Sequence, residues 1–197
     1  MKKLITILFA AAFLLTGCGN SVSKPEDENI AYSPIVCSYS NMPSYGTVMD
    51  FITTNIVVYD NNTVEVYCGD FSDTTVGEEG IELDYIYGET FEITQEQKEE
   101  IIENIKKNRI AKLSDCSSNS DDGSYSYIYL YDENGERIHS CGGLNPEKKR
   151  FQDMKSAIRE LLPEDVIPAV RQRATEELAQ YLLENYPEEY SWLEDRY

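Results

Sequence analysis

The strict alternation of residues 125–131 most restricts how this chain can fold. Tyrosines occupy the odd positions, while serine, isoleucine and leucine occupy the even ones. Since successive side chains of a strand point to opposite faces, the pattern predicts a strand with one tyrosine face and one largely apolar face. Asn134-Gly135 follows, a dipeptide typical of tight turns between paired strands. Residues 125–141 therefore predict a β-hairpin, whose aromatic face comprises Tyr125, Tyr127, Tyr129 and Tyr131.

A second hairpin is predicted upstream. Residues 53–59 and 63–68 are rich in β-branched side chains, and the asparagines between them tolerate the positive φ of a tight turn. Residues 69–80 are rich in glycine, serine, threonine and acidic residues, which predicts a loop. Residues 81–93 contain one or two further strands, with Gly88 at a turn or bulge.

Two helices are predicted from their end signals and apolar spacing. Thr94 and Gln97 have the spacing of a capping box, and we expect this helix to end near Asn108. Asn145 is the predicted N-cap of the second helix, with Pro146 at its first position, where a missing N–H costs nothing. The apolar faces are Ile101, Ile102 and Ile105 in the first helix, and Phe151, Met154, Ile158, Leu161 and Leu162 in the second.

This order of elements predicts an α+β fold, an antiparallel sheet of about five strands with two helices packed on one face. We expect residues 48–163 to form this domain and residues 164–197 to form a C-terminal helical extension. The apolar stripe of the extension either covers the sheet or binds a partner, and covering is favoured because most amphipathic helices bury their stripe. The stripe is Val170, Ala174, Leu178, Tyr181 and Leu182, followed by Tyr190, Trp192 and Leu193.

The first residues have the pattern of an export signal. Lys2 and Lys3 precede an apolar run over residues 4–15 that is broken only by Thr6. The run is too short to span a bilayer as a helix, which needs about 20 residues. A charged start, a short apolar run and small residues after it are typical of a secretory signal.

Leu15-Thr16-Gly17-Cys18 resembles the lipobox of bacterial lipoproteins. The resemblance covers residues 1–18. It implies that residues 1–17 are a removed signal peptide, that Cys18 carries a diacylglyceryl group and that two or three acyl chains hold the protein on the extracytoplasmic side of a bacterial cell membrane. The alternative is an ordinary secreted protein whose signal ends near a cysteine. Residues 18–47 are then the anchor and a polar linker, and residues 50–163 are similar to small uncharacterised bacterial lipoproteins, which implies no activity.

The acidity of the chain excludes some partners. Its formal charge is −19, and loss of the two signal lysines takes the mature chain to −21. A nucleic-acid binder needs a basic surface that displaces counterions from phosphates, so we expect no nucleic-acid partner. The same charge argues against electrostatic binding to an anionic membrane.

The acidic residues are concentrated in the middle of the chain. Residues 65–103 contain 13 acidic residues and one lysine, a local charge of −12, and residues 115–123 add more carboxylates. Calcium needs several oxygen ligands at about 2.4 Å. The spacing departs from an EF-hand loop, because Ser120 stands where that loop needs glycine and Ser126 where it needs its final Glu. We therefore expect a solvated acidic face, with no metal site and no cofactor.

Four cysteines remain beyond the lipobox, an even number that predicts two disulfides in an exported chain. Three connectivities are open. Cys116 lies in the loop that leads into the first hairpin strand and Cys141 ends the return strand, so both fall at one end of the hairpin. We therefore expect a Cys116–Cys141 disulfide, which leaves Cys37–Cys68. Each contributes about 3 kcal/mol in the chain-entropy model.

His139, the one histidine of the sequence, precedes Cys141 by two residues, so both side chains point to one face of the strand. A Cys–His nucleophilic pair needs a free thiolate, whereas we expect Cys141 in a disulfide. The sequence contains no G-x-S-x-G, H-E-x-x-H, P-loop or dinucleotide-binding motif. We expect no catalysis, and the alternative is an envelope enzyme or processing factor that uses acidic residues or the Cys141/His139 pair.

The tyrosine row of residues 125–131 is the candidate binding face, and Tyr85 and Tyr87 extend it if a neighbouring strand lies beside it. An exposed row of rings with hydroxyl groups stacks on sugars or contacts a protein. The alternative is that the rings only stabilise the sheet under a cover of C-terminal helices. The sequence thus predicts a lipid-anchored extracytoplasmic binding module, whose partner is an envelope protein or a glycan.

Overall fold

In the part of the chain that the computed structural model describes, an antiparallel sheet of six strands forms the centre of the fold, together with four α-helices. The structure describes residues 34–44, 46, 49–50, 52–69, 85–119, 122–194 and 196. The α+β prediction is confirmed, with six strands instead of about five. Residues 1–17, Cys18 and the predicted loop at 70–80 lie outside the described residues.

The strands are β1 (Ile35–Pro43), β2 (Thr53–Tyr59), β3 (Thr63–Gly69), β4 (Tyr87–Glu92), β5 (Ser124–Tyr131) and β6 (Arg137–Leu144). The helices are α1 (Gln95–Lys107), α2 (Lys149–Arg159), α3 (Val166–Asn185) and α4 (Pro187–Tyr190), with short 3-10 turns at Ile110–Lys112 and Ser191–Leu193. The strand order across the sheet is β4-β3-β2-β1-β5-β6. Both predicted hairpins are therefore present, as β2–β3 and β5–β6.

Strand β1 lies near the middle of the sheet, between β2 and β5. The prediction that residues 18–47 form a linker was wrong for this stretch. The strand is polar because only one of its faces meets the core: Cys37 and Tyr39 are buried there, while Ser38 and Ser40 point to the other face. A strand with hydroxyl groups on one face lacks the apolar alternation that marked the other strands.

The two faces of the sheet differ in what covers them. On one, the core face, Ile128 pairs with Tyr39, which pairs with Ile56, and these side chains join one buried cluster with residues of α1, α2 and α3. On the other, the tyrosine face, Tyr127 pairs with Ser40 of β1. The same row continues through Asn55 of β2 and Tyr67 of β3.

Helix α1 begins as its sequence predicts. The Thr94 hydroxyl accepts a hydrogen bond from the Gln97 N–H, the Gln97 side chain accepts one from the Thr94 N–H, and Asn108 is the C-cap. Lys98 of this helix is buried, and its ammonium group donates to the backbone oxygen and the carboxylate of Asp60 in the β2–β3 turn. The acidic residue thereby ties the turn to the helix.

Helix α2 begins later than predicted. Its N-cap is Lys148, not Asn145. Asn145 has a positive φ of 43°, and its side chain instead accepts from the Ser124 N–H and donates to the Asp122 carbonyl. The residue therefore fastens the loop that enters β5 to the end of β6, and the helix starts one turn further on.

Helix α3 buries its apolar stripe in the main core, where Val170, Ala174, Leu178 and Leu182 are all nearly inaccessible. The prediction that the stripe covers the sheet is thus confirmed for these four residues. Arg171 of the same helix donates to the backbone oxygens of Asp50 and Ile52, which ties α3 to the segment before β2. Helix α3 therefore shares its core with the predicted domain of residues 48–163. Trp192 is 40% exposed.

Within the described part of the chain, none of the helices has the length and apolar character needed to cross a membrane.

Candidate functional site

The tyrosines of β5 share the face that their alternation predicts. The rings of Tyr127 and Tyr129 stack with centroids 6.0 Å apart, and the Arg137 guanidinium lies 5.1 Å from the centroid of Tyr129. The Tyr131 hydroxyl is 3.0 Å from the Ser38 hydroxyl on the neighbouring strand, and Tyr125 is 37% exposed. Ring stacking and the cation hold the middle of this row in a fixed orientation.

A second aromatic pair lies on the same face at the other side of the sheet. The rings of Tyr67 and Tyr85 stack with centroids 5.5 Å apart. A side chain on Gly88 would collide with both residues, so the glycine makes room for the Tyr85 ring. Tyr87 does not join them: it pairs with Cys68 on the core face, so the prediction that it extends the tyrosine row was wrong.

Small polar residues separate the two aromatic pairs. Tyr127 and Tyr67 are three strand spacings apart, about 14 Å, with Ser40 and Asn55 between them. The side-chain nitrogen of Asn55 is buried and has no hydrogen-bond partner among the described residues. The middle of the tyrosine face is therefore lower and more polar than its two aromatic sides.

A buried hydrogen bond lies further along the same face. The Tyr59 hydroxyl donates to the Glu65 carboxylate at 2.7 Å, and both residues are less than 5% exposed. Burial, together with the neighbouring carboxylate, raises the pKa of Tyr59 well above its usual range. The Tyr59 proton therefore stays in place throughout the physiological range.

A cavity of about 320 Å³ opens beside Tyr127, at the β6 edge of the sheet. We call it the edge cavity. It is lined by Tyr127, by Asp115, by residues 141–143 and by three serines. The serines are Ser114, Ser117 and Ser140.

Backbone pairing with β6 builds the far wall of the edge cavity. Asp115 forms a parallel bridge with Gly142, whose carbonyl accepts from the Cys116 N–H at 2.7 Å. Gly142 and Gly143 have φ values of 149° and 139°, which favour glycine. A Cβ on Gly143 would collide with the side chains of Asp115 and Ser117. The return strand was expected to end at Cys141, and this was wrong, since Gly142 and Gly143 continue β6 and allow this close contact.

Asp115 is the charged group of the edge cavity. Its Oδ1 accepts from the Ser117 hydroxyl at 2.6 Å and from the Ser117 N–H at 2.8 Å, and these bonds lower the pKa of the carboxyl. The Lys148 ammonium group donates to the Asp115 backbone oxygen at 2.6 Å. Burial, with smaller contributions from Tyr125 and Asp115, raises the pKa of Tyr127. The cavity thus presents one fixed carboxylate, a neutral phenol and an ammonium group near its rim.

The predicted Cys37–Cys68 disulfide is wrong. Cys37 pairs with Val58 and Cys68 pairs with Thr54, so the two cysteines are two strands apart and four residues out of register. Ideal strand spacings place their Cα atoms about 16 Å apart. A disulfide needs less than about 7 Å. The prediction failed because it did not include β1 as the strand that carries Cys37.

Cys116 and Cys141 do lie close together, behind the edge cavity, as predicted. Cys116 follows Asp115 in the segment beside β6, so it is a diagonal neighbour of Cys141. Diagonal neighbours on adjacent strands have Cα atoms about 7–8 Å apart, slightly more than a disulfide spans. Both thiols are free in the structure, as are those of Cys37 and Cys68. The Cys116–Cys141 bond therefore requires a small shift of the 113–118 segment, and it stays a prediction.

His139 and Cys141 do not show the features of a nucleophilic pair. The His139 Nε2 donates to the Leu113 carbonyl at 2.9 Å. Burial, with a smaller contribution from Cys116, raises the pKa of Cys141 to about 12, so the sulfur is a thiol at neutral pH. A nucleophilic cysteine instead needs a lowered pKa.

Among the residues that the structure describes, no group of three or more His, Cys, Asp or Glu side chains is placed to hold a metal ion. Residues 70–84, which carry much of the predicted acidic face, and Asp121 lie outside those residues. The expectation of a solvated acidic face without a calcium site therefore stays a prediction.

Comparison with known protein families finds no matching family model, and comparison with curated proteins finds no significant match.

The edge cavity was not predicted from the sequence, apart from Tyr127 and Asp115. The only local signal for it was the Gly142-Gly143 pair, because adjacent glycines often mark a close approach of backbone.

Proposed function

We propose that the mature chain is a lipid-anchored binding module on the extracytoplasmic side of a bacterial cell membrane, and that it performs no catalysis. The lipobox at residues 15–18 supports the anchor. The arrangement of helices on the core face supports the binding role, because it leaves the tyrosine row of β5 on the opposite face. Its partner is an envelope protein or a glycan.

The single observation that carries the binding role is the edge cavity beside the stacked Tyr127 and Tyr129 rings. A concave site with an aromatic wall and a few convergent polar groups is the usual form of a ligand site. An enzyme that uses the Cys141/His139 pair receives no such support, since Cys141 has a pKa near 12 and the His139 Nε2 is bonded to a backbone carbonyl.

The anchor is tested with Cys18→Ser, because the acyl chains attach to this sulfur in the proteins that the lipobox resembles. Each buried methylene contributes about 0.8 kcal/mol, so loss of two or three chains removes the membrane affinity. We expect the full-length variant to move from the membrane fraction to the soluble fraction after expression in a bacterial host. Ser21→Ala, three residues further on, is the matched control and stays with the membrane. A Cys18→Ser protein that remains fully membrane-bound contradicts lipidation.

A further inference from the structure

We propose that the edge cavity binds one uncharged sugar ring of an envelope glycan. The inference rests on the proposed function and specifies its ligand. Three features of the cavity support it: its size, the chemistry of its walls and the balance of charge around it.

The size of the edge cavity favours a small cyclic ligand. Its volume of about 320 Å³ lies at the lower end of the range for small-molecule sites. A docked helix or a folded protein needs a much larger contact area, since specific protein interfaces bury about 800 Å² on each partner. The cavity therefore has room for one or two rings of a chain that extends beyond it.

The walls of the cavity match the two kinds of surface on a sugar. A pyranose has faces of C–H groups, which pack on an aromatic ring, and an edge of hydroxyl groups, which need donors and acceptors. Tyr127 is the aromatic residue of the lining, and its stack on Tyr129 fixes the orientation of its ring. Asp115 and the three serines are the polar residues of the lining.

The polar part of the lining is positioned before a ligand arrives. The Leu144 N–H donates to the Ser117 hydroxyl, which in turn donates to Oδ1 of Asp115. Both described hydrogen bonds to the Asp115 carboxylate use Oδ1. None of the described hydrogen bonds uses Oδ2, so this oxygen is the one that remains to accept from a ligand hydroxyl. Groups held on a paired backbone segment lose little entropy when a ligand binds.

The charges around the cavity favour a neutral ligand. The Asp115 carboxylate, whose pKa is lowered, repels an anion, and so does the mature chain as a whole at −21. The Lys148 ammonium group, bonded to the Asp115 backbone oxygen, offsets part of the attraction that the carboxylate exerts on a cation. A ligand with hydroxyl groups and no charge meets no repulsion and uses the same hydrogen bonds.

The test is an NMR titration of the mature chain that carries Cys18→Ser. The probes are the methyl glycosides of glucose, galactose, mannose, N-acetylglucosamine and N-acetylgalactosamine, each to about 50 mM, well above the millimolar affinity that so small a contact predicts. We expect at least one probe to shift the amide signals of Ser117, Gly142 and Gly143. If none of the five shifts these signals, the inference is wrong.

Variants of Tyr127 separate ring stacking from a structural effect. We expect Tyr127→Ala to weaken binding about tenfold, since an aromatic contact of this kind corresponds to about one decade in affinity. Tyr127→Phe keeps the ring, so its affinity stays within about threefold of the original. Tyr87→Ala removes a half-exposed ring from the core face of the sheet, outside the cavity, so it is the matched control and binds normally. Equal affinity in Tyr127→Ala and Tyr87→Ala overturns the assignment.

Charged probes test whether the ligand is neutral. Whole bacterial envelopes distinguish a failure of the sugar assignment from a failure of the proposed binding module. Glucuronic acid and glucosamine are titrated in the same way, and tighter binding of either than of every neutral probe overturns the neutral assignment. The mature chain is also mixed with purified bacterial envelope and sedimented. If it binds the envelope but no sugar probe, the inference is wrong and the binding module stands; if it binds neither, the binding module is wrong as well.

Discussion

The core face and the tyrosine face of the sheet are built from the same strands but differ in composition and packing. On the core face, alternate residues of β1, β2 and β5 are apolar and join the buried side chains of three helices in one cluster. On the tyrosine face, the buried apolar cluster is small and centres on Val57 and Tyr59, and the rest of the row consists of rings, hydroxyls and amides. The core face carries the larger buried apolar cluster, and the tyrosine face carries the smaller one. The tyrosine face can therefore carry polar groups.

The difference explains how a single strand can support the fold and also carry the binding residues that we propose. In β5, Ile128 and Leu130 are fixed by the core, so the tyrosines between them have their positions set at no further cost in backbone entropy. A binding residue on such a strand is held more accurately than one on a loop. Four predictions test this contrast, taken from the largest expected effect to the smallest.

The largest expected effect is on the core face. Phe151 of α2 is fully buried, and Phe151→Ala is expected to lower the free energy of unfolding by about 3–5 kcal/mol. The matched change on the other face, Tyr129→Ala, removes one ring stack and is expected to cost about 1–2 kcal/mol. Urea denaturation of the mature chain measures both. Equal losses would mean that the tyrosine face is a second core.

The next effect concerns the edge at which the core face ends. The exported, oxidised protein is expected to contain a Cys116–Cys141 disulfide, which adds about 3 kcal/mol to the stability in the chain-entropy model. Intact mass should increase by two hydrogen atoms on reduction, and Cys141→Ser should abolish that change. Cys37→Ser, in a strand that brings no partner within reach, should leave it unchanged. Four alkylated thiols in the folded, oxidised protein would exclude the bond.

The smallest effect concerns the buried hydrogen bond of the tyrosine face. Tyr59→Phe removes the donor to Glu65, and we expect a loss of about 1–3 kcal/mol. Tyr131→Phe removes a contact to Ser38 at a half-buried site and should cost less.

The same bond predicts how stability depends on pH. The pKa of Tyr59 is raised in the folded protein, and that of Tyr85 is raised to about 12, chiefly by burial. An unfolded tyrosine titrates near 10. The stabilisation is therefore complete below about pH 10 and is lost as the pH rises towards 12. Urea midpoints measured across this range should fall less steeply in Tyr59→Phe, and an equally steep fall in both proteins contradicts the assignment.

Local signals in the sequence predicted those parts of the fold that depend on neighbours along the chain. The Thr94–Gln97 capping box and the β5–β6 hairpin involve residues a few positions apart, so their chemistry is visible without the fold. Strand β1 was missed because Ser38, Ser40 and Asn41 give it a polar composition that its place in the sheet explains only afterwards. Asn145 has the composition of a cap, but its bonds reach back about twenty residues to the start of β5.

The candidate site was predicted in part, for the same reason. Alternation alone placed Tyr127 and Tyr129 on one face, and hairpin geometry alone placed Cys116 near Cys141. The edge cavity depends on the parallel contact between Asp115 and Gly142, residues 27 positions apart that no periodic pattern connects. The Cys37–Cys68 error arose from the same limit, since the position of Cys37 depends on which strand becomes β1's neighbour.

The position of β1 has a mechanical consequence. With Cys18 anchored as we propose, any pull on a ligand held at the β6 edge reaches the membrane through the N-terminal end of β1. That strand is hydrogen-bonded along most of its length to β2 on one side and to β5 on the other. A force along it loads both ladders in shear, so many bonds must break together instead of one after another. Under the proposed anchoring, tension would therefore enter the sheet at a strand that is paired on both sides.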